Sequence, residues 1–186
     1  MVRVISGRMK GCRLATLPGA IVRPTADRVK EALFSILAHK PLDANVLDLF
    51  AGSGALGIEA ISRGARSAVF VERSPKVIAF LRQNLDYCKI GTLATVIQWD
   101  IQKNLNCLYT FRHPFDLVFL DPPYGQSLVA KAIAHLIHID CLSDGATIVA
   151  EHEPGADIDL SNAPLSLSDT RRYGSNQLTF FQYQRS

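Results

Sequence analysis

The sequence predicts an α/β fold: a parallel sheet covered on both faces by helices and ended by an antiparallel hairpin. Three observations carry this. From Asn45 onward, short apolar runs alternate with segments of helical spacing, the pattern of strands and crossover helices in a parallel sheet. A Gly-x-Gly-x-x-Gly run, Gly52 to Gly57, stands directly between the first of these strands and the next helix, which is the context such a loop requires. The chain closes on two strand-like stretches around Tyr173-Gly174, a tight-turn signal.

Taken in order, Val2 to Ile5 and Arg13 to Thr16 read as a short hairpin around a basic loop holding Gly7 and Gly11. Pro24 and Thr25 start a helix in which Val29, Leu33, Ile36 and Leu37 recur at helical spacing until Pro41. The strand cores are Val46–Phe50, Ala68–Glu72, Ala94–Gln98, Leu117–Leu120 and Thr147–Ala150. Between them lie helices from Leu56 to Arg63 closed by Gly64, from Pro75 to Tyr87 opened by Ser74, and from Ser127 to Ile139. Leu165–Arg172 and Gln177–Gln184 form the last two strands. At 186 residues there is room for one α/β core. The expected organisation is a basic hairpin and helix in residues 1–40, packed on a core of residues 41–186.

A composition of 48% hydrophobic and 20% charged residues belongs to a folded chain. The apolar runs break long before membrane-spanning length, and the amino terminus lacks a secretory pattern, so a cytoplasmic location is expected. Cys12, Cys88, Cys107 and Cys141 show no metal or disulfide spacing, and none follows a proline, which speaks against a covalent Pro-Cys nucleophile. Residues 1–40 carry eight Lys and Arg against Asp27 and Glu31; the remainder carries twelve against fifteen. Arg3, Arg8, Lys10, Arg13, Arg23, Arg28 and Lys30 are thus a candidate contact for a phosphate backbone.

The glycine loop alone does not name its ligand. Dinucleotides bring a pyrophosphate to the helix start, whereas S-adenosylmethionine brings a sulfonium, an ammonium and a carboxylate. Asp48, just before the loop, would repel a pyrophosphate and attract an ammonium; the plainer alternative is a loop-capping carboxylate. Phe50, Gly52, Ser53 and Gly54 are the loop's candidate contacts, the glycines letting backbone approach a ligand. Glu72, ending the second strand, is placed to hold both ribose hydroxyls. Asp100, ending the third, can accept from an adenine amino group, with Trp99 or Ile101 packing on the ring; otherwise it caps a turn.

The fourth strand delivers Asp121-Pro122-Pro123-Tyr124 to the carboxyl edge of the sheet, where open α/β folds place their sites. An exocyclic amine on a base is a poor nucleophile because its lone pair is delocalised into the ring. The Asp121 carboxylate and the Pro122 carbonyl can each accept one amine hydrogen, while Pro122 and Pro123 stiffen the turn. Tyr124 can stack on an extruded base.

End to end, the chain resembles the RsmD-type bacterial enzymes that methylate guanine N2 in 16S ribosomal RNA. The residues that carry the likeness are Ile5-Ser6-Gly7, Lys10-Gly11, Arg13-Leu14, Arg23-Pro24-Thr25, Asp27 to Phe34, Leu47 to Gly54, Asp121 to Tyr124 and Tyr173-Gly174. The resemblance implies a seven-stranded S-adenosylmethionine-dependent methyltransferase sheet with an amino-terminal hairpin that helps hold RNA through Arg3, Arg8, Lys10 and Arg13. It implies roles for Glu72, Asp100 and Asp121, and a cofactor-bordering loop at Arg23 and Thr25 braced by Arg28 and Glu31. The expected partner is 16S ribosomal RNA or a partly assembled small subunit, met by a monomer without metal or membrane. His135 and His138 are spaced like metal ligands but have no third ligand. Three rivals stay open: an adenine-N6 methyltransferase sharing the tetrapeptide, a nicotinamide oxidoreductase sharing the loop, and an RNA-binding protein that only keeps the fold.

Overall fold

The computed structural model describes residues 2–16, 25–123, 128–156, 158, 160 and 163–185, with backbone alone for Thr25 and Ala26. A hairpin of β1 (Val2–Arg3) and β2 (Arg13–Leu14) precedes α1 (Thr25–Leu37). Then come β3 (Asn45–Leu49), α2 (Ala55–Ser62), β4 (Ser67–Glu72), α3 (Pro75–Tyr87), β5 (Ala94–Gln98) and β6 (Phe115–Leu120). The chain continues through α4 (Leu128–His138), β7 (Leu142–His152), β8 (Leu165–Tyr173) and β9 (Asn176–Tyr183). Seven strands form one sheet in the order β5-β4-β3-β6-β7-β9-β8. The first five run parallel, and β9 lies antiparallel between β7 and β8.

The central strands read as unbroken apolar runs because both faces are buried. One face, with Val46, Phe70, Leu117, Phe119 and Val149, packs against Leu33 and Phe34 of α1, Ile58 and Ile61 of α2, and Leu81 and Leu85 of α3. The other, with Leu47, Leu49, Val71, Val118, Leu120 and Ile148, packs against Val129, Ile133 and Leu136 of α4. Among the described residues no helix is long and apolar enough to cross a membrane.

Three boundaries differ from expectation. Phe50 is not in β3: its φ is 60°, so the chain leaves the strand there. β7 begins at Leu142, not Thr147, although Ser143-Asp144-Gly145 looks like a turn; Leu142 pairs with Phe115, and the register shifts between Phe115 and Leu117. Asp116 stabilises this irregular entry, accepting from Asn45 N at 2.8 Å and from Ser143 Oγ at 2.6 Å. The amino-terminal hairpin is shorter than expected because the Ile5 and Ser6 amides donate to Glu59 (2.7 and 3.0 Å) instead of to a partner strand.

Glu59, on α2 and without exposed surface, holds the extension to the core. Its carboxylate also pairs with Lys30 at 3.6 Å and Arg63 at 2.9 Å. Lys30, counted above with the basic surface, is buried at 5% exposure, and its ammonium donates to the Arg3 carbonyl. That withdraws it from any phosphate contact. Ser62, three residues on, accepts from Met9 N (3.0 Å) and, through its carbonyl, from Arg8 N (2.9 Å). Gly7 fits there because a Cβ would lie 1.9 Å from the Ser62 carbonyl oxygen.

Candidate active site

Strand register assembles the site. Leu49 pairs with Val71 on one side and with Leu120 on the other, and Leu120 pairs with Ala150. One residue further along each strand stand Glu72, Phe50, Asp121 and Glu151, a row across the carboxyl edge of the sheet. Alternation gives Asp48, Glu72, Asp121 and Glu151 the same parity as Phe70, Phe119 and Val149, the face covered by α1, α2 and α3. At about 4.8 Å per strand, Asp121 and Glu151 are neighbours and Glu72 stands two strands from Asp121.

The carboxylates perturb one another. Asp48, 2% exposed, is pushed up to about 7 by burial and by Glu72, against the pull of a 2.9 Å hydrogen bond from Gly57 N. Gly57 lies in the first turn of α2, so Asp48 caps that helix from beneath the loop, the plainer of the two roles open to it. Desolvation where Asp121 leaves the sheet, with Glu151 and Asp48 facing it, pushes the Asp121 carboxyl up to about 8. Part of Asp121 is open to solvent, which limits desolvation; the like charge one strand away is the more durable cause. Glu151 is held by the Asn176 side-chain amide, at the start of β9. Pro122 is buried and Pro123 exposed, so the turn is anchored on one side.

Glu72 ties two loops together: Oε2 accepts from Gly52 N at 3.2 Å and Oε1 from Ser74 N at 2.8 Å. Each oxygen keeps a further lone pair for a ligand hydroxyl. The glycines divide their work in a way the motif does not reveal. Gly52 has φ 56° and open space, since a Cβ there would find only the Phe50 carbonyl oxygen, at 3.9 Å. Gly54 faces the core: a Cβ would meet Leu81 Cδ1 at 2.3 Å. Gly57 likewise leaves room for the Phe70 ring, 2.3 Å from where its Cβ would be.

Asp100 lies one strand beyond Glu72, and its Oδ1 accepts from Gln102 N at 3.2 Å, so it also closes a turn. Ile101 is buried at 7% in the α4-side cluster. The Trp99 indole N–H donates to the Asn104 carbonyl at 3.0 Å, and the ring borders an outer recess. Arg3, Arg8, Lys10 and Arg13 are exposed on the extension, Arg3 beside Asp27 at 3.4 Å; Arg28 and Glu31 are exposed on α1. Arg23, the Thr25 side chain and Tyr124 lie outside the described residues. Among the described residues no cluster of His, Cys, Asp and Glu could hold a metal ion.

Sequence reasoning missed Asn84. This α3 residue, 2% exposed, accepts from Ala15 N at 2.7 Å and donates to the carbonyls of Ala15 and Ser53, both at 2.9 Å. It therefore joins the exit of the extension to the glycine loop. Its only sequence signal is an amide on an otherwise apolar helical face.

A sheet edge carrying Glu72, Asp121 and Glu151, with Asp48 buried beneath the glycine loop, fits a cationic ligand and opposes a pyrophosphate. The residues suit S-adenosylmethionine: Glu72 for the ribose, the open backbone at Gly52 beside it, and acidic groups for the sulfonium and ammonium. Fold and carboxylate row together define the class, an S-adenosylmethionine-dependent methyltransferase. The solved complex of SMU.776 with S-adenosylhomocysteine has this fold, at 14% identity and a TM-score of 0.67 over 87% of this chain and 50% of that one. The chain belongs to the RsmD-type family, described as "Conserved hypothetical protein 95", which matches residues 2–182. It is 37% identical over 184 residues to ribosomal RNA small subunit methyltransferase D of Escherichia coli strain K12, covering 99% of this chain and 90% of the relative. The solved structure of Escherichia coli yhhF superimposes with a TM-score of 0.85 at 34% identity, covering 98% of each chain.

Proposed function

We propose that this protein methylates the exocyclic N2 of a guanine in 16S ribosomal RNA, met as the RNA or within a partly assembled small ribosomal subunit. The observation that carries the reading is Asp121 emerging from β6 beside Glu151, in one row with the Glu72 that suits the ribose. The name of the Escherichia coli relative supports the RNA substrate.

When bound, the cofactor supplies a methyl group on a positively charged sulfur. The protein's part is to hold and aim the amine. The Asp121 carboxylate and the Pro122 carbonyl each accept one N–H, leaving the nitrogen lone pair as the free direction toward the methyl carbon. An amine nitrogen that gains a methyl group becomes acidic, and Asp121, already accepting one of its hydrogens, is the group placed to take that proton. Burial and the facing Glu151 raise the Asp121 pKa, so its ionised form is a stronger base than an ordinary aspartate, and the step draws on that ionised form. Tyr124 stacks on the extruded base. Arg3, Arg8, Lys10 and Arg13, all exposed on one extension, take backbone phosphates.

Mass analysis of nucleosides from the 16S RNA of cells with and without the protein tests this directly. Loss of one N2-methylguanosine is expected. Loss of N6-methyladenosine instead would move the assignment to adenine, whose amine the same tetrapeptide can hold.

A further inference from the structure

Beyond the row of carboxylates lies a recess of about 690 Å³, whose walls are Arg73, Ser74, Gln98, Trp99, Asp100, Lys103 and Asn104. It sits where the chain leaves β4 and β5, at the outer edge of the parallel strands. Glu72, the glycine loop and Asp121 are not among its walls; Asp100 and Trp99 are shared with the candidate cofactor contacts.

We infer that this recess binds a nucleotide of the RNA substrate flanking the one that is methylated, its base stacked on Trp99 and its phosphate held by Arg73 and Lys103. The inference rests on the RNA-methylating reading above. Three features of the recess carry it. Trp99 has 36% of its surface exposed, while the bond to the Asn104 carbonyl fixes the ring, so a flat apolar surface is presented with little rotamer entropy left to lose. Arg73 and Lys103 are exposed cations within the same recess. Two cations stand there against one carboxylate, Asp100, so the recess is net positive where the row of sheet-edge acids is negative, and every nucleotide brings an anion to it. An aromatic platform beside paired cations is the chemistry that holds single-stranded nucleic acid without reading its sequence.

The position also suits a flanking nucleotide. β5 is separated from β6 by β4 and β3, so the recess stands about 14 Å from the Asp121 turn at ordinary strand spacing. A strand of RNA with its target base at the carboxylate row can reach it without leaving the carboxyl edge of the sheet.

The test uses small ribosomal subunits from cells lacking the protein as substrate, and S-adenosylhomocysteine as a separate probe of the cofactor site. Trp99→Ala is expected to raise KM for subunits about tenfold, and Arg73→Gln with Lys103→Gln to leave kcat and the Kd for S-adenosylhomocysteine within about twofold. Trp99→Phe keeps a stacking face and should recover most of the loss. Arg73→Gln with Lys103→Gln should lower the slope of log K against log salt by about 1.4, about 0.7 for each single-strand phosphate released. Should Trp99→Ala instead weaken S-adenosylhomocysteine with KM for subunits unchanged, the recess is an adenine wall and the inference is wrong. Unchanged KM in both Trp99 variants and an unchanged salt slope would also overturn it. Arg8→Ala with Lys10→Ala separates the two readings: a loss of subunit binding there, with none at the recess, sinks the recess alone. Wild-type protein that neither binds nor methylates subunits sinks both.

Discussion

Replacing Glu59 by Gln probes how the extension is held, and its cost can be worked from the contacts. The carboxylate accepts two backbone amides, at 2.7 and 3.0 Å, and balances a buried ammonium at 3.6 Å and a guanidinium at 2.9 Å. An amide of the same shape can accept through one oxygen only, turns an NH₂ toward donors, and leaves Lys30 charged and unpaired at 5% exposure. Breaking a buried pair by removing one partner costs about 3 to 5 kcal/mol. Desolvation already holds the Lys30 pKa below its ordinary 10.5, so the ammonium can shed its proton, which places the cost near the lower end, about 3 kcal/mol. For a chain of this size that is a fall in Tm of about 6 to 12 °C. The pH dependence has a definite sign. Without Glu59 the folded-state pKa of Lys30 drops further below its unfolded value, so between the two the unfolded chain binds more protons and stability rises with pH. Thermal melts followed by circular dichroism at pH 6 and pH 9 should therefore show a larger deficit at pH 6. Adding Lys30→Met should recover most of it. A single variant melting within about 2 °C of the wild type at both pH values would refute the reasoning.

Two further predictions concern the carboxylate row and the glycine loop. S-Adenosylmethionine and S-adenosylhomocysteine differ by a methyl and by the positive charge on sulfur, so their affinity ratio reads the charge of the carboxylate row. Asp48 at about 7 and Asp121 at about 8 are neutral below those values and ionised above them; calorimetry should show preference for the charged ligand growing as pH rises through 7 to 8, and a flat ratio contradicts the assignment. The loop glycines should separate: Gly54→Ala, with φ 78° and a Cβ 2.3 Å from Leu81 Cδ1, should lose about 2 to 4 kcal/mol in urea denaturation. Gly52→Ala should lose only about 1 kcal/mol but bind S-adenosylhomocysteine more weakly; equal stability losses at the two positions would contradict the division of labour.

Periodicity and turn chemistry made much of this architecture legible. Strands β3, β4 and β6 announce themselves as apolar runs because both faces are buried, and Ser74-Pro75 marks α3 because its capping chemistry is local: Ser74 Oγ accepts from Val77 N. Long-range partnership is where the sequence falls silent. Glu59 sits in an apolar helix as one acid among alanines and isoleucines, and nothing nearby hints that its partners are Ile5, Ser6 and Lys30. Lys30 is legible only as charge, which does not distinguish it from the exposed arginines that it does not join. Asn84 holds two segments 69 and 31 residues away, which no local pattern can show. Asp144-Gly145 follows turn chemistry, yet pairing with β6 draws Leu142 into β7, tertiary contact overriding local preference. The acids of the site were each visible at a strand end; that Asp121 and Glu151 stand side by side required the β6–β7 register.

The central claim is that Asp121 holds and deprotonates the target amine. Asp121→Asn keeps the size and one acceptor oxygen while removing the charge, and single-turnover methylation of small subunits with cofactor and protein in excess isolates the chemical step. The account predicts a rate at least about a hundredfold lower, with subunit binding preserved. A rate within about threefold of the wild type would contradict it.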